Sequence, residues 1–101
     1  MSTQKACIKG RSVCKVKFTL NKQVGKSRKT AFLVGEFNGW DNQATPMEKM
    51  KDGSFTATLT LQKGRKYQYR YLLDGAIWEN DWEANEYVPT EYGSDNSVVV
   101  V

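Results

Sequence analysis

Apolar side chains recur at every second position through most of this chain, the period of strands rather than helices. Cys14, Val16, Phe18 and Leu20 alternate with Val13, Lys15, Lys17 and Thr19, the pattern of a half-buried strand. The polar, glycine-bearing stretch "NKQVGKSRK" then reads as a flexible hairpin loop. "TAFLVGEF" is apolar on both alternating sets, which predicts a central strand covered on both faces. A turn at Asn38-Gly39 and a long loop with Pro46 lead to a second turn at Asp52-Gly53. Phe55, Ala57, Leu59 and Leu61 alternate with Ser54, Thr56, Thr58 and Thr60. After Lys63-Gly64, Tyr67, Tyr69, Tyr71 and Leu73 take one face of a strand, and Lys66, Gln68, Arg70 and Leu72 the other. A short strand near Ala76 to Trp78, a polar connection and a closing "SVVVV" complete the chain. No segment reads as a helix. Six to eight short strands with regular turn signals predict an all-β antiparallel β-sandwich.

All three tryptophans stand just beyond turns, outside any long apolar run. Trp40 follows Asn38-Gly39, while Trp78 and Trp82 follow Asp74-Gly75. One such residue is ordinarily a core aromatic next to a turn. Three, each near Asn, Asp or Glu, point to an exposed cluster that faces a ligand.

At 101 residues the chain is one domain, with residues 12–101 as the sandwich and 1–11 as a flexible basic segment. Its start lacks the apolar stretch of a secretory leader, and no run is long enough to span a bilayer. These features suggest a cytoplasmic protein with no membrane partner. Cys7 and Cys14 are then expected as free thiols. With no histidine and two cysteines, a metal site is not expected, nor is the usual general base of hydrolases. No carboxylate pair stands in a glycosidase arrangement, so the chain does not read as an enzyme. Charge is unevenly spread: residues 1–35 hold nine Lys or Arg and no acid, and the remainder holds six basic and eleven acidic residues. The basic third is open to two readings, a solvated edge strand with a mobile loop or a docking face for an anionic partner.

The aromatic cluster narrows the ligand. The C–H face of a glucose ring packs on an indole, and its hydroxyls need amides, carboxylates or cations at the rim. Nucleobases stack on indoles too, but a nucleic-acid site interleaves basic and aromatic residues. Here the tryptophans lie in the acidic two-thirds of the chain, which argues against nucleic acid as a partner and favours a neutral ligand.

From about Lys29 to Val101 the chain resembles the family-48 carbohydrate-binding modules. That family includes the N-terminal domains of isoamylases and branching enzymes and the glycogen-binding domain of the AMP-activated protein kinase β subunit. The matching pieces occur in order: Gly35 with Phe37-Asn38 and Trp40, Pro46-Met47, Asp52-Gly53 with Phe55, Gly64, Tyr67 with Tyr69-Arg70-Tyr71, Asp74-Gly75, Trp78, Asp81, Gly93 and Asn96. The resemblance implies an immunoglobulin-like sandwich of the early-set type, without a cofactor, that binds α-1,4-linked glucan such as glycogen or starch. It further implies that Trp40 and Trp78 stack on glucose units and that Arg70 and Asn96 bond sugar hydroxyls. Tyr92 would reach over the glucan, with Ser94 as a nearby hydroxyl. The chain departs from the kinase-type pattern in three places. Arg70 replaces a lysine, the Gly75–Trp78 segment is one residue longer, and Trp82 stands where a proline is common, as an extra platform or as packing.

Two expectations follow. The first is non-catalytic glucan binding by tryptophan stacking. The alternative is a protein-interaction or regulatory domain associated with a glucan-metabolising enzyme, docked through Lys15, Lys17, Lys22, Lys26, Arg28 and Lys29.

Overall fold

The computed structural model describes residues 3–91 and 93–101. Two antiparallel sheets pack as a sandwich of the immunoglobulin-like kind. The first has the order β1 (Thr3–Cys7), β2 (Val13–Leu20), β5 (Phe55–Gln62) and β4 (Glu48–Lys49). The second has the order β3 (Ala31–Gly35), β6 (Lys66–Leu73), β9 (Asp95–Val100) and β8 (Glu86–Pro89), and β7 (Ile77–Glu79) also pairs with β6. The described residues thus hold nine strands. Three of them, β1, β4 and β8, lie where a basic segment, a loop and a polar connection were expected. None has an apolar alternation of its own, and each is defined by pairing with a longer neighbour. Pro89 is tolerated because β8 is an edge strand.

Alternation decides which side chains meet between the sheets. Cys14, Val16, Phe18 and Leu20 of β2 and Phe55 and Leu61 of β5 are buried against Ala31 and Leu33 of β3 and Tyr69, Tyr71 and Leu73 of β6. Phe18 meets Tyr69 edge-on at 5.1 Å and Phe37 at 5.6 Å between ring centroids. Each fully buried side chain of this size contributes roughly 1.5–3 kcal/mol.

Four details differ from the sequence reading. The stretch after β2 is not a hairpin loop: it carries the chain from the first sheet to the second. Within it Lys22–Gly25 forms one helical turn, α1, capped by Asn21, whose Oδ1 accepts from the Val24 N–H (3.1 Å). A 3-10 turn covers Glu36–Asn38. Neither is long enough to leave a helical period in the sequence. Third, β3 is covered on both faces but heads its sheet rather than sitting at its centre. The loop holding Pro46 shields its free edge: Leu33 N–H donates to Thr45 O (2.9 Å) and Met47 N–H to Ala31 O (2.8 Å).

The fourth is a correction. Cys7 and Cys14 are not free thiols but a disulfide. β1 pairs with β2 in a register that puts the two residues directly opposite, 4.1 Å apart at Cα. Their separation of seven residues gave no sign of this, because only the hairpin brings them together. The disulfide removes one support for a reducing compartment. No helix is long and apolar enough to cross a membrane.

Candidate functional site

Trp40 owes its position to a clamp at Asn38. The Asn38 Oδ1 accepts from Gly35 N–H (3.1 Å), while its Nδ2 donates to Leu33 O (2.9 Å) and Thr45 Oγ1 (3.0 Å). Gly39 and Trp40 both take left-handed backbone, φ 65° and 60°. That conformation is uncommon for an aromatic residue and is held here by Trp40 N–H on Gly35 O (2.9 Å). Gly35 must be glycine for a different reason: a Cβ would lie 2.6 Å from Gln68 O. The close approach sets the tryptophan turn against β6.

Trp78 is placed by a hairpin whose three loop residues, Asp74, Gly75 and Ala76, separate Leu73 from its partner Ile77. Asp74 and Gly75 have φ of 52° and 70°, and Ala76 N–H bonds Leu73 O (3.0 Å), closing a type I′ turn. β7 then returns along β6 with Trp78 opposite Leu72. The following connection is anchored from inside by Asp81, which is 3% exposed. Its carboxylate accepts from Tyr69 OH (2.5 Å) and Tyr71 OH (3.4 Å), and its N–H donates to Ser97 Oγ (2.9 Å). Burial raises both tyrosine hydroxyls well above the usual phenol range, aided by the Asp81 charge, so both stay protonated and donate.

The floor between the tryptophans is polar and interlocked. Because Tyr69 and Tyr71 point inward, Gln68 and Arg70 point outward from β6. Arg70 Nε donates to Asn96 Oδ1 (2.7 Å) and its Nη2 to Ser94 Oγ (2.6 Å). Asn96 Nδ2 donates to Gln68 Oε1 (3.0 Å), and Thr90 Oγ1 to Ser94 O (2.8 Å). Two of the five guanidinium donors are thereby committed, which fixes the plane of the group. Val34, Leu72 and Val98 belong to the same outward face and are nevertheless buried.

Trp40, Trp78, Arg70, Asn96 and Ser94, five of the residues expected from sequence, line one open groove of about 550 Å³. The tryptophans are 39% and 44% exposed. Gln68, Val88, Pro89, Thr90 and Glu91 complete the lining. Arg70 and Glu91 bring one charge of each sign, a balance suited to an uncharged ligand. Gln68 was legible in principle, two residues before Arg70 on the same face. The β8 residues were not, since β8 lay within an apparent loop. Trp82, 56% exposed, is not brought to this groove. It borders a cleft of about 80 Å³ with Thr19, Leu20 and Asn21 of the first-sheet side, and its Nε1 donates to Glu79 (3.3 Å). Tyr92 lies outside the described residues.

A two-sheet sandwich with paired exposed indoles over a fixed polar floor has the build of a carbohydrate-binding module. Residues 15–101 match the family model described as the glycogen recognition site of AMP-activated protein kinase. The chain belongs to that family, within the family-48 carbohydrate-binding modules. A comparison with curated proteins finds no match.

Proposed function

We propose that this domain binds α-1,4-linked glucan (glycogen, starch or maltooligosaccharides) without catalysing a reaction on it. Glucose rings stack on Trp40 and Trp78, and Arg70, Asn96 and Ser94 take the hydroxyls. Tyr92, which follows Glu91 of the groove in sequence, is an additional contact in this reading. The observation that carries it is the meeting of two half-exposed indoles with the Arg70–Asn96–Ser94 network in one groove. A water-filled floor would leave such side chains free to rotate. Here they are already held, so little ordering cost remains when a sugar arrives.

Titration of maltoheptaose while following tryptophan fluorescence tests the reading. A saturable change is expected, with a Kd of about 10–500 μM, or roughly 4.5–7 kcal/mol. A β-1,4-linked oligosaccharide of equal length should produce none. No response to maltoheptaose from the folded domain would refute the assignment.

A further inference from the structure

The outward face of the second sheet continues past the two tryptophans. Phe32 of β3 lies opposite Leu72 of β6, and Leu72 lies opposite Trp78 of β7. With Asn42, Gln43 and Gly75 they line a separate recess of about 360 Å³. Arg70 in the groove and Leu72 in the recess are two residues apart on one strand, about 7 Å along its axis. Trp78, beside Leu72, stands at the boundary between the two.

The recess repeats the chemistry of the groove in a plainer form. Its floor is apolar, and two primary amides supply both donors and acceptors. None of its lining residues is charged. Gln43 engages Asp41 through its main-chain N–H (2.9 Å). The Asn42 and Gln43 amides themselves have no hydrogen-bond partner among the described residues. Both residues are exposed, so their amides are solvated and available to a ligand.

We propose that this recess is a second subsite for the same glucan chain, taking glucose units that run beyond the Trp78 platform. The inference rests on the groove being a glucan site. It follows from continuity: a polymer lying flat on Trp78 must leave the indole somewhere, and on this side the next surface is Phe32 and Leu72 flanked by the two amides. Units held there are tethered to units already bound, so even weak contacts raise the affinity for a long chain. The domain therefore senses chain length, and Asn42 and Gln43 are its length-reading residues.

The test compares maltotriose with maltoheptaose by calorimetry, on the wild type and on an Asn42→Ala/Gln43→Ala double variant. The wild type should prefer maltoheptaose. The double variant should lose about three- to tenfold in maltoheptaose affinity and stay within about twofold for maltotriose. Gln43→Ala alone should show the same pattern at smaller amplitude, with the turn residue Asn42 intact. Unchanged maltoheptaose binding in a folded double variant overturns the second subsite, as does equal weakening of both sugars; in either case the groove reading stands. A wild type that binds neither sugar overturns the groove reading and the subsite together.

Discussion

The two sheets turn very different faces to solvent. On the first sheet, Lys15, Lys17 and Thr19 of β2 lie opposite Thr60, Thr58 and Thr56 of β5. On the second, Val34, Arg70 and Asn96 share a face with Leu72 and Trp78. Both faces follow the same strand alternation, so backbone architecture does not separate them. Residue choice does. Threonine suits a pleated strand and is content in water, and lysine keeps its charged head hydrated. Indoles in water carry a solvation cost, and a guanidinium held by Asn96 and Ser94 has given up its freedom. The first face is built from side chains that water satisfies. The second carries the features on which the proposed glucan site rests.

Removing one platform should produce the largest effect on binding. Trp78→Ala is expected to weaken maltoheptaose at least tenfold, about 1.4 kcal/mol or more, and to abolish retention on immobilised glycogen. The half-exposed side chain lies outside the core cluster, so the circular dichroism spectrum should be unchanged. A Lys15→Ala/Lys17→Ala variant of the other face should bind within about twofold of the wild type. Equal losses from the two variants would erase the contrast between the faces.

The disulfide sharpens the comparison from the side of stability. Cys7 lies at the exposed edge of the first sheet, whereas Cys14 is buried. Cys7→Ser opens the cross-link and keeps the Cys14 side chain in the core. Loop closure over this short span corresponds to about 2–2.5 kcal/mol in the chain-entropy treatment. The urea midpoint should fall accordingly at unchanged slope. Glucan affinity at a temperature where the variant remains folded should not move, because no groove residue belongs to the first sheet.

A finer cut is made within the groove. Arg70→Lys keeps the charge but cannot reproduce the two-pronged link to Asn96 and Ser94. Binding should weaken by about 1 kcal/mol, roughly fivefold, measured by calorimetry. A lysine variant that binds as well as the wild type would show that fixing the floor has no role in recognition.

How much of this was legible beforehand depends on whether a feature is local. The strands with clear alternation, β2, β5 and β6, announce themselves, and so do the turns that carry Trp40 and Trp78. At Asp74-Gly75 both signal residues are left-handed, whereas at Asn38-Gly39 the left-handed pair is Gly39 and Trp40, and Asn38 ends the 3-10 turn. What stayed hidden depends on partners distant in sequence. β8 exists because β9 offers it an edge, and it alone brings Val88 and Pro89 to the groove. The disulfide exists because β1 folds back on β2. Trp82 carried the same local signature as Trp78, yet only Trp78 lies on a strand paired to β6.

The smallest effect concerns Asp74, where the basic third of the chain meets the second sheet. Its carboxylate accepts from Lys29 N–H (2.7 Å) and Thr30 N–H (3.2 Å) and lies 3.6 Å from the Arg28 guanidinium. Part of the positive charge of residues 1–35 is therefore spent on the turn that presents Trp78. The backbone bonds from Thr30 and Lys29, with Arg28 behind them, hold the Asp74 pKa below the usual 3.8. A carboxylate depressed in the folded state contributes stability that is fully present above its unfolded value. That contribution is lost as pH falls through the lower folded value. Asp74→Asn retains an oxygen acceptor and tolerates the positive φ of 52°, so it removes the charge while sparing the turn. The variant should unfold at slightly lower urea than the wild type at pH 7, and the gap should close as pH drops well below 3.8. A gap that persists in acid would assign the difference to turn geometry. A gap that closes assigns it to the charge, and with it the anchoring of this turn by the basic segment.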